Sequence, residues 1–157
     1  MKPVEPGHEL PIDPDVDLEI PAQRRELHWS TLAAVSAGGV LGALARYGIG
    51  HAWPTPAGGF PWATFLINVT GCLLIGALMV LVTDVFTTHR LLRPFLGVGV
   101  LGGYTTFSTY SVEIRNLIVA GAPGTAALYL LATLAAALVA VFAGMTATRF
   151  AARRAAT

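Results

Sequence analysis

The sequence predicts an all-α integral membrane protein with four transmembrane helices per subunit, the third of them broken in mid-membrane. Three observations lead there. Of the 157 residues, 54% are hydrophobic and only 12% charged, where soluble domains carry about 25% charged residues. The apolar residues gather into four runs, each able to supply the roughly 20-residue helix that crosses a hydrocarbon core. Inside the third run, two adjacent glycines lead into hydroxyl and β-branched residues, which is poor helix sequence.

Residues 1–28 come first, with seven acids against three bases, a net of −4. They are Pro-rich and lack the apolar core of a secretory signal, so they predict a disordered, acidic cytoplasmic tail. The membrane domain follows over residues 29–150. Its first span runs from Trp29 to about Tyr47 and carries Arg46 near the far end. Gly58, Gly59 and Pro61 punctuate the linker. The uncharged second span is Trp62 to Thr83, and the third, Leu91 to Val119, contains Arg93, Glu113 and Arg115. The fourth, Pro123 to Thr148, is again uncharged, and a basic C-terminal tail, residues 151–157, closes the chain. Trp29, Trp53 and Trp62 fall at span ends, where aromatic belts form. Residues 29–157 carry seven Arg against Asp84 and Glu113, a net of +5.

Small residues recur four apart: Gly38 and Gly42, Gly39 and Ala43, Cys72 and Gly76. In lipid this spacing serves close helix packing, because apolar burial cannot drive association there. Cys72 is the one cysteine and reads as a small buried residue. In the third span, Gly97, Gly99, Gly102 and Gly103 precede Tyr104-Thr105-Thr106-Phe107-Ser108-Thr109-Tyr110. Backbone that leaves a helix at membrane depth must be buried in protein or line a watery cavity. Such breaks are where transport proteins hold ions.

Polar side chains mark a path. Thr64 and Asn68, four apart, share a helix face and offer hydroxyl and amide donors suited to an anion. Tyr129 and Thr133 begin a hydroxyl rail on the fourth span, which stops at Ala137 and Val141. Arg46 either serves the path or snorkels to the interface, and Glu113 either serves it or pairs with an Arg. His51 and His89 read as solvated loop residues. No Ser-His-Asp set, carboxylate pair, phosphate loop or Cys/His metal cluster can be assembled, so no enzyme activity is expected. Donors without a nucleophile or base point to passage of an anion. No nucleic-acid partner is expected.

Three segments together resemble the CrcB/Fluc family of bacterial fluoride channels, over roughly residues 34–150. They are Gly38-Gly39-Val40-Leu41-Gly42-Ala43-Leu44-Ala45-Arg46-Tyr47, Thr64-Phe65-Leu66-Ile67-Asn68-Val69-Thr70-Gly71, and Gly102 to Tyr110 with Glu113 following. The resemblance implies a multi-pass protein of the bacterial inner membrane that exports cytoplasmic fluoride and reduces its toxicity. It implies an antiparallel, dual-topology dimer with two pores and a structural sodium ion at the dimer interface, held by the backbone carbonyls of Gly102 and Thr105. Asn68 would donate to fluoride and Phe107 would turn its positive ring edge to it. Ser108, Thr109 and Thr64 would add hydroxyls, and Arg46 would draw anions in. The family usually has a second Phe where this chain has Tyr110, which keeps a ring edge and adds a hydroxyl.

Charge placement bears on the partner. With the N-terminus inside, seven arginines lie on the inner side and only Arg46 and Arg115 on the outer. Under the positive-inside rule this predicts one fixed orientation and a heterodimer with an oppositely oriented homologue; if Arg149 to Arg154 and the tail are too peripheral to decide insertion, a homodimer is expected instead. The alternatives are a small proton-coupled multidrug exporter, with Glu113 as its membrane acid, and a non-transporting membrane scaffold. The path shows no proton relay, which favours passive flow.

Overall fold

The computed structural model describes residues 29–85 and 91–155; the acidic segment 1–28, with His89 and Arg90, lies outside the described residues. Every described element is helical. Three helices are long and apolar enough to cross a membrane: α1 (Trp29–Ala52), α2 (Trp62–Val80, its apolar stretch reaching Thr83) and α5 (Pro123–Ala155). They match the first, second and fourth expected spans, with two extensions. α1 continues past Tyr47 to Ala52, so His51 sits on its last turn and not in a loop. α5 runs without interruption through residue 150 to Ala155 and takes in Arg153 and Arg154.

Residues expected as the third span form two shorter pieces. A wide π-type helix, Arg93–Leu101, passes into a single α-turn, α3 (Gly102–Tyr104). Thr105 then turns to extended backbone (φ −76°, ψ 158°), and helix resumes at α4 (Ser108–Val119). The glycines themselves stay helical, and the chain leaves the helix just after them. Their use is close approach. Gly99 lies so near α1 that a Cβ on it would stand 2.8 Å from the Val35 carbonyl, and one on Gly103 would strike the Gly39 carbonyl. Gly38 and Gly42 present their own bare backbones to Phe95 and Val100. The expected small-residue seam is thus the contact between α1 and the π-type helix. A second seam joins Gly76 to Val141 and Gly144 to Leu73, pressing α2 against α5.

Turn chemistry sets the remaining corners. α4 ends in a Schellman motif: the Ala122 amide bonds the Leu117 carbonyl, the Gly121 amide bonds Ile118, and Gly121 takes φ +76°. Pro123 follows at the first position of α5, where its missing N–H costs nothing. These contacts fix directions. α1 runs parallel to the π-type helix and α2 parallel to α5, so Trp29, Val80 and Ala155 lie at one end of the bundle. Large apolar side chains remain exposed along α1, α2 and α5, as lipid-facing surfaces require.

Candidate functional site

Thr106 is the centre of the site. Having left the helix, its buried peptide groups need new partners, and Asn68 on α2 supplies both. The Thr106 N–H donates to Asn68 Oδ1, and Asn68 Nδ2 donates to the Thr106 carbonyl, each at 2.9 Å. The Thr106 hydroxyl caps the restarted helix, accepting from the Thr109 amide at 3.1 Å and donating to Thr109 Oγ1 at 3.0 Å. Ser108 Oγ lies 3.3 Å from the same hydroxyl. Thr106 was absent from the expected site residues. Its signal was a threonine three positions ahead of Thr109 at a helix restart, which is N-cap spacing.

Thr105 closes the preceding turn by donating both its amide (3.0 Å) and its hydroxyl (2.9 Å) to the Leu101 carbonyl. With the Thr106 amide turned to Asn68, the Gly102 carbonyl loses the donor that a continuous helix would give it. Arg46 Nη1 approaches the Thr105 carbonyl at 3.5 Å. Arg46 therefore points into the protein and does not snorkel outward.

Among the described residues, Glu113 pairs with two hydroxyls and with no arginine. Thr64 Oγ1 donates to Glu113 Oε1 and the Tyr129 hydroxyl to Oε2, both at 2.8 Å. Hydrogen bonds to a carboxylate are the stronger kind, and here they join α2, α4 and α5. Tyr129 is fully buried, wedged edge-on between Phe60 (5.2 Å) and Tyr110 (5.1 Å). Tyr129 is thus committed to Glu113. Thr133, one turn on, has a buried hydroxyl with no partner, the one such side-chain atom among the described residues. Beyond Thr133 the same face carries Ala137 and Val141, which have no hydroxyl, and the Val141 backbone lies against Gly76.

Two cavities meet at Thr106. One, about 510 Å³, is lined by Arg46, Tyr47, His51, Thr64, Thr109 and Glu113. The other, about 590 Å³, holds Asn68, Phe107, Tyr110, Thr133, Gly102 and Thr105 against an apolar wall that includes Leu101 and Leu134. Thr106 lines both. Of the expected residues, all but Ser108 and Tyr129 line one cavity or the other, and not all of them have free donors. Phe107 is 79% exposed with its ring 5.8 Å from that of Tyr110. The added hydroxyl of Tyr110 donates to the Leu130 carbonyl at 2.9 Å, so it is turned onto α5. Tyr104 and Thr70, whose hydroxyls lie 3.0 Å apart, form a further pair that sequence reading missed.

The fold and junction define a helical membrane protein with several membrane-capable helices and polar donors gathered around a helix interruption. The chain belongs to the CrcB family: the model of "CrcB-like protein, Camphor Resistance (CrcB)" matches residues 33–145. It is 57% identical over 134 residues to fluoride-specific ion channel FluC 2 of Nocardia farcinica, covering 85% of this chain and 96% of the relative. It is 52% identical over 126 residues to FluC 2 of Streptomyces avermitilis (78% and 79% covered). It is 54% identical over 118 residues to FluC 1 of Streptomyces coelicolor (75% and 77% covered). Streptomyces avermitilis carries another relative, named FluC 3, 43% identical over 131 residues.

Proposed function

We propose that this chain is a subunit of a fluoride-selective channel that lets fluoride leave the cytoplasm. The observation that carries the reading is the junction at Thr106, which lies with Asn68, Phe107 and Glu113 inside the segment matched by the family. Arg46 raises the local anion concentration in the first cavity. Fluoride is small and strongly hydrated, so its water must be replaced by closely fitted donors as it passes. Thr64 and Thr109 stand on the first approach, and Ser108 reaches the Thr106 hydroxyl. The second Nδ2 hydrogen of Asn68, the Phe107 and Tyr110 ring edges and the unpartnered Thr133 hydroxyl serve the second cavity. Both oxygens of Glu113 are taken by hydroxyls, which argues against an open proton-coupling acid of the exporter type.

In this reading the π-type helix, α3 and α4 together make a third pass, broken at mid-membrane depth, and residues 29–150 form the channel domain behind the acidic tail. The subunit dimerises antiparallel. The carbonyls of Gly102 and Thr105 fit a structural sodium ion: one has lost its helical donor, the other takes only a long contact from Arg46, and freed carbonyls at a half-helix end suit Na⁺. When bound, the ion supplies a fixed positive charge. Two carbonyls are few for a hard cation, and a second, inverted subunit would double them. The inner-side arginine excess supports one orientation and a homologous partner, as does the presence of FluC 2 and FluC 3 in one relative organism.

Purified chain in liposomes should release fluoride to an electrode with no chloride leak. If neither it nor a pair co-expressed with a homologue does so, the reading fails. Epitope tags detected equally on both membrane faces would overturn the fixed orientation.

A further inference from the structure

We infer, on the channel reading above, that His51 is a second, protonatable charge at the mouth of the first cavity, so that fluoride enters more readily as the pH falls. The side chains of formal charge that line this cavity are Arg46 and Glu113, and one imidazole, His51, joins them. The charges of Arg46 and Glu113 cancel. A neutral His51 therefore leaves the lining at zero, and a protonated one takes it to +1. Imidazole is the side chain that ordinarily changes charge between about pH 8 and pH 5. One proton on one residue thus decides whether the cavity attracts an anion.

The geometry places that residue at the rim. His51 lies on the last turn of α1, and its ring stacks on that of Tyr47 (5.8 Å between centres, 12° between planes). The four-residue spacing puts both rings on one helix face. His51 and Tyr47 are exposed, whereas Arg46 is half-buried and reaches inward to the Thr105 carbonyl. The two basic groups therefore stand in series, with Arg46 about 7.5 Å deeper along α1. Glu113 faces them from α4, but its oxygens accept from Thr64 and Tyr129, so it is no ion-pair partner for the imidazole. Arg115 on the same helix is exposed and outside the lining. Tyr104 of α3 meets α1 at Gly42, about 13 Å along the axis from His51. Arg93 opens the π-type helix at the Trp29 end of α1, and Cys72 of α2 lines the other cavity. A cavity of about 510 Å³ is about 10 Å across, the screening length of about 0.1 M salt, so a charge at the rim is felt throughout it. In water, one unit charge at about 7 Å favours a monovalent anion about threefold.

Fluoride current across planar bilayers holding the full chain tests this, with a co-expressed homologue where the chain alone is silent. Neutral HF carries no current and so does not disturb the reading at low pH. Below saturating fluoride, the current at about pH 5.5 should exceed that at about pH 8 by about two- to fivefold. His51→Gln should bring this ratio to about one at the low current, and His51→Arg to about one at the high current. An inert salt at about 0.5 M should shrink the ratio in the native chain, since screening shortens the reach of an exposed charge. His51 is exposed at a helix end, so both substitutions leave the fold intact, which unchanged thermal unfolding would verify. A ratio of one in the native chain overturns the inference and leaves the channel reading standing. A ratio that survives His51→Gln also overturns it, and moves the titration to Glu113. No fluoride current at either pH, alone or with the homologue, overturns the inference and the channel reading together.

Discussion

Replacing Asn68 by alanine tests whether this side chain is a structural clamp as well as a station for the anion. It makes two hydrogen bonds of 2.9 Å to the one residue, Thr106, that has left the helix. Thr106 is 7% exposed, so water reaches its peptide groups poorly. A buried peptide group left unpaired costs about 1–3 kcal/mol, which for two groups sets an upper figure of about 6 kcal/mol. Water admitted from the adjoining cavity recovers part of this, so a loss of about 2–4 kcal/mol is expected. Such a loss changes the folded fraction enough to read in denaturant unfolding of the purified chain. Asn68→Asp is the companion variant: it keeps the acceptor for the Thr106 amide and loses the donor to its carbonyl. Its carboxylate sets an acceptor against the Thr106 carbonyl and buries a charge, so stability should fall at least as far as in Asn68→Ala, while the added negative charge stops fluoride efflux. If Asn68→Ala unfolds within about 0.5 kcal/mol of the native chain yet passes no fluoride, the clamp argument is wrong and Asn68 serves the ion alone.

Tyr129→Phe removes one donor from Glu113 and should cost about 1.5–3 kcal/mol in unfolding experiments, with slower fluoride efflux. Tyr110→Phe loses only the bond to the Leu130 carbonyl; about 1 kcal/mol of stability should go, and efflux from liposomes should stay within about twofold. Gly71→Ala places a methyl against the Thr105 methyl; about 1–3 kcal/mol of destabilisation is expected in denaturant unfolding, with slower fluoride efflux from liposomes. Gly48→Ala meets no neighbour within 4 Å, so thermal unfolding should show it neutral or about 1 kcal/mol more stable, as helix propensity dictates.

Much of the architecture was legible in the order of residues. Apolar run length marked α1, α2 and α5, because the bilayer sets a minimum length and punishes every unpaired amide. The interruption falls within the segment the sequence marked as poor helix, at Thr105 in the hydroxyl run, while the glycines ahead of it are helical and serve the approach of α1. Propensity could not show this, since a bare backbone can either loosen a helix or let another press against it, and only the neighbour decides. Asn68, Thr64, Glu113 and Phe107 stood out as polar or aromatic residues in apolar surroundings. Their partners did not stand out.

Those partners were decided by tertiary structure. Asn68 meets Thr106 across 38 residues, and Thr64 meets Glu113 across 49. No periodicity along one helix reports such pairings, because they depend on how three helices are rotated against each other. Whether Tyr129 and Thr133 would both face the path was likewise beyond the sequence. Their spacing puts them on one face, yet the ring sandwich of Phe60 and Tyr110 commits the first hydroxyl to Glu113 and leaves the second without a partner. By itself the sequence determined what must be buried and where the helix had to fail. The packing of bare glycine backbones then set which donors remained available at that break.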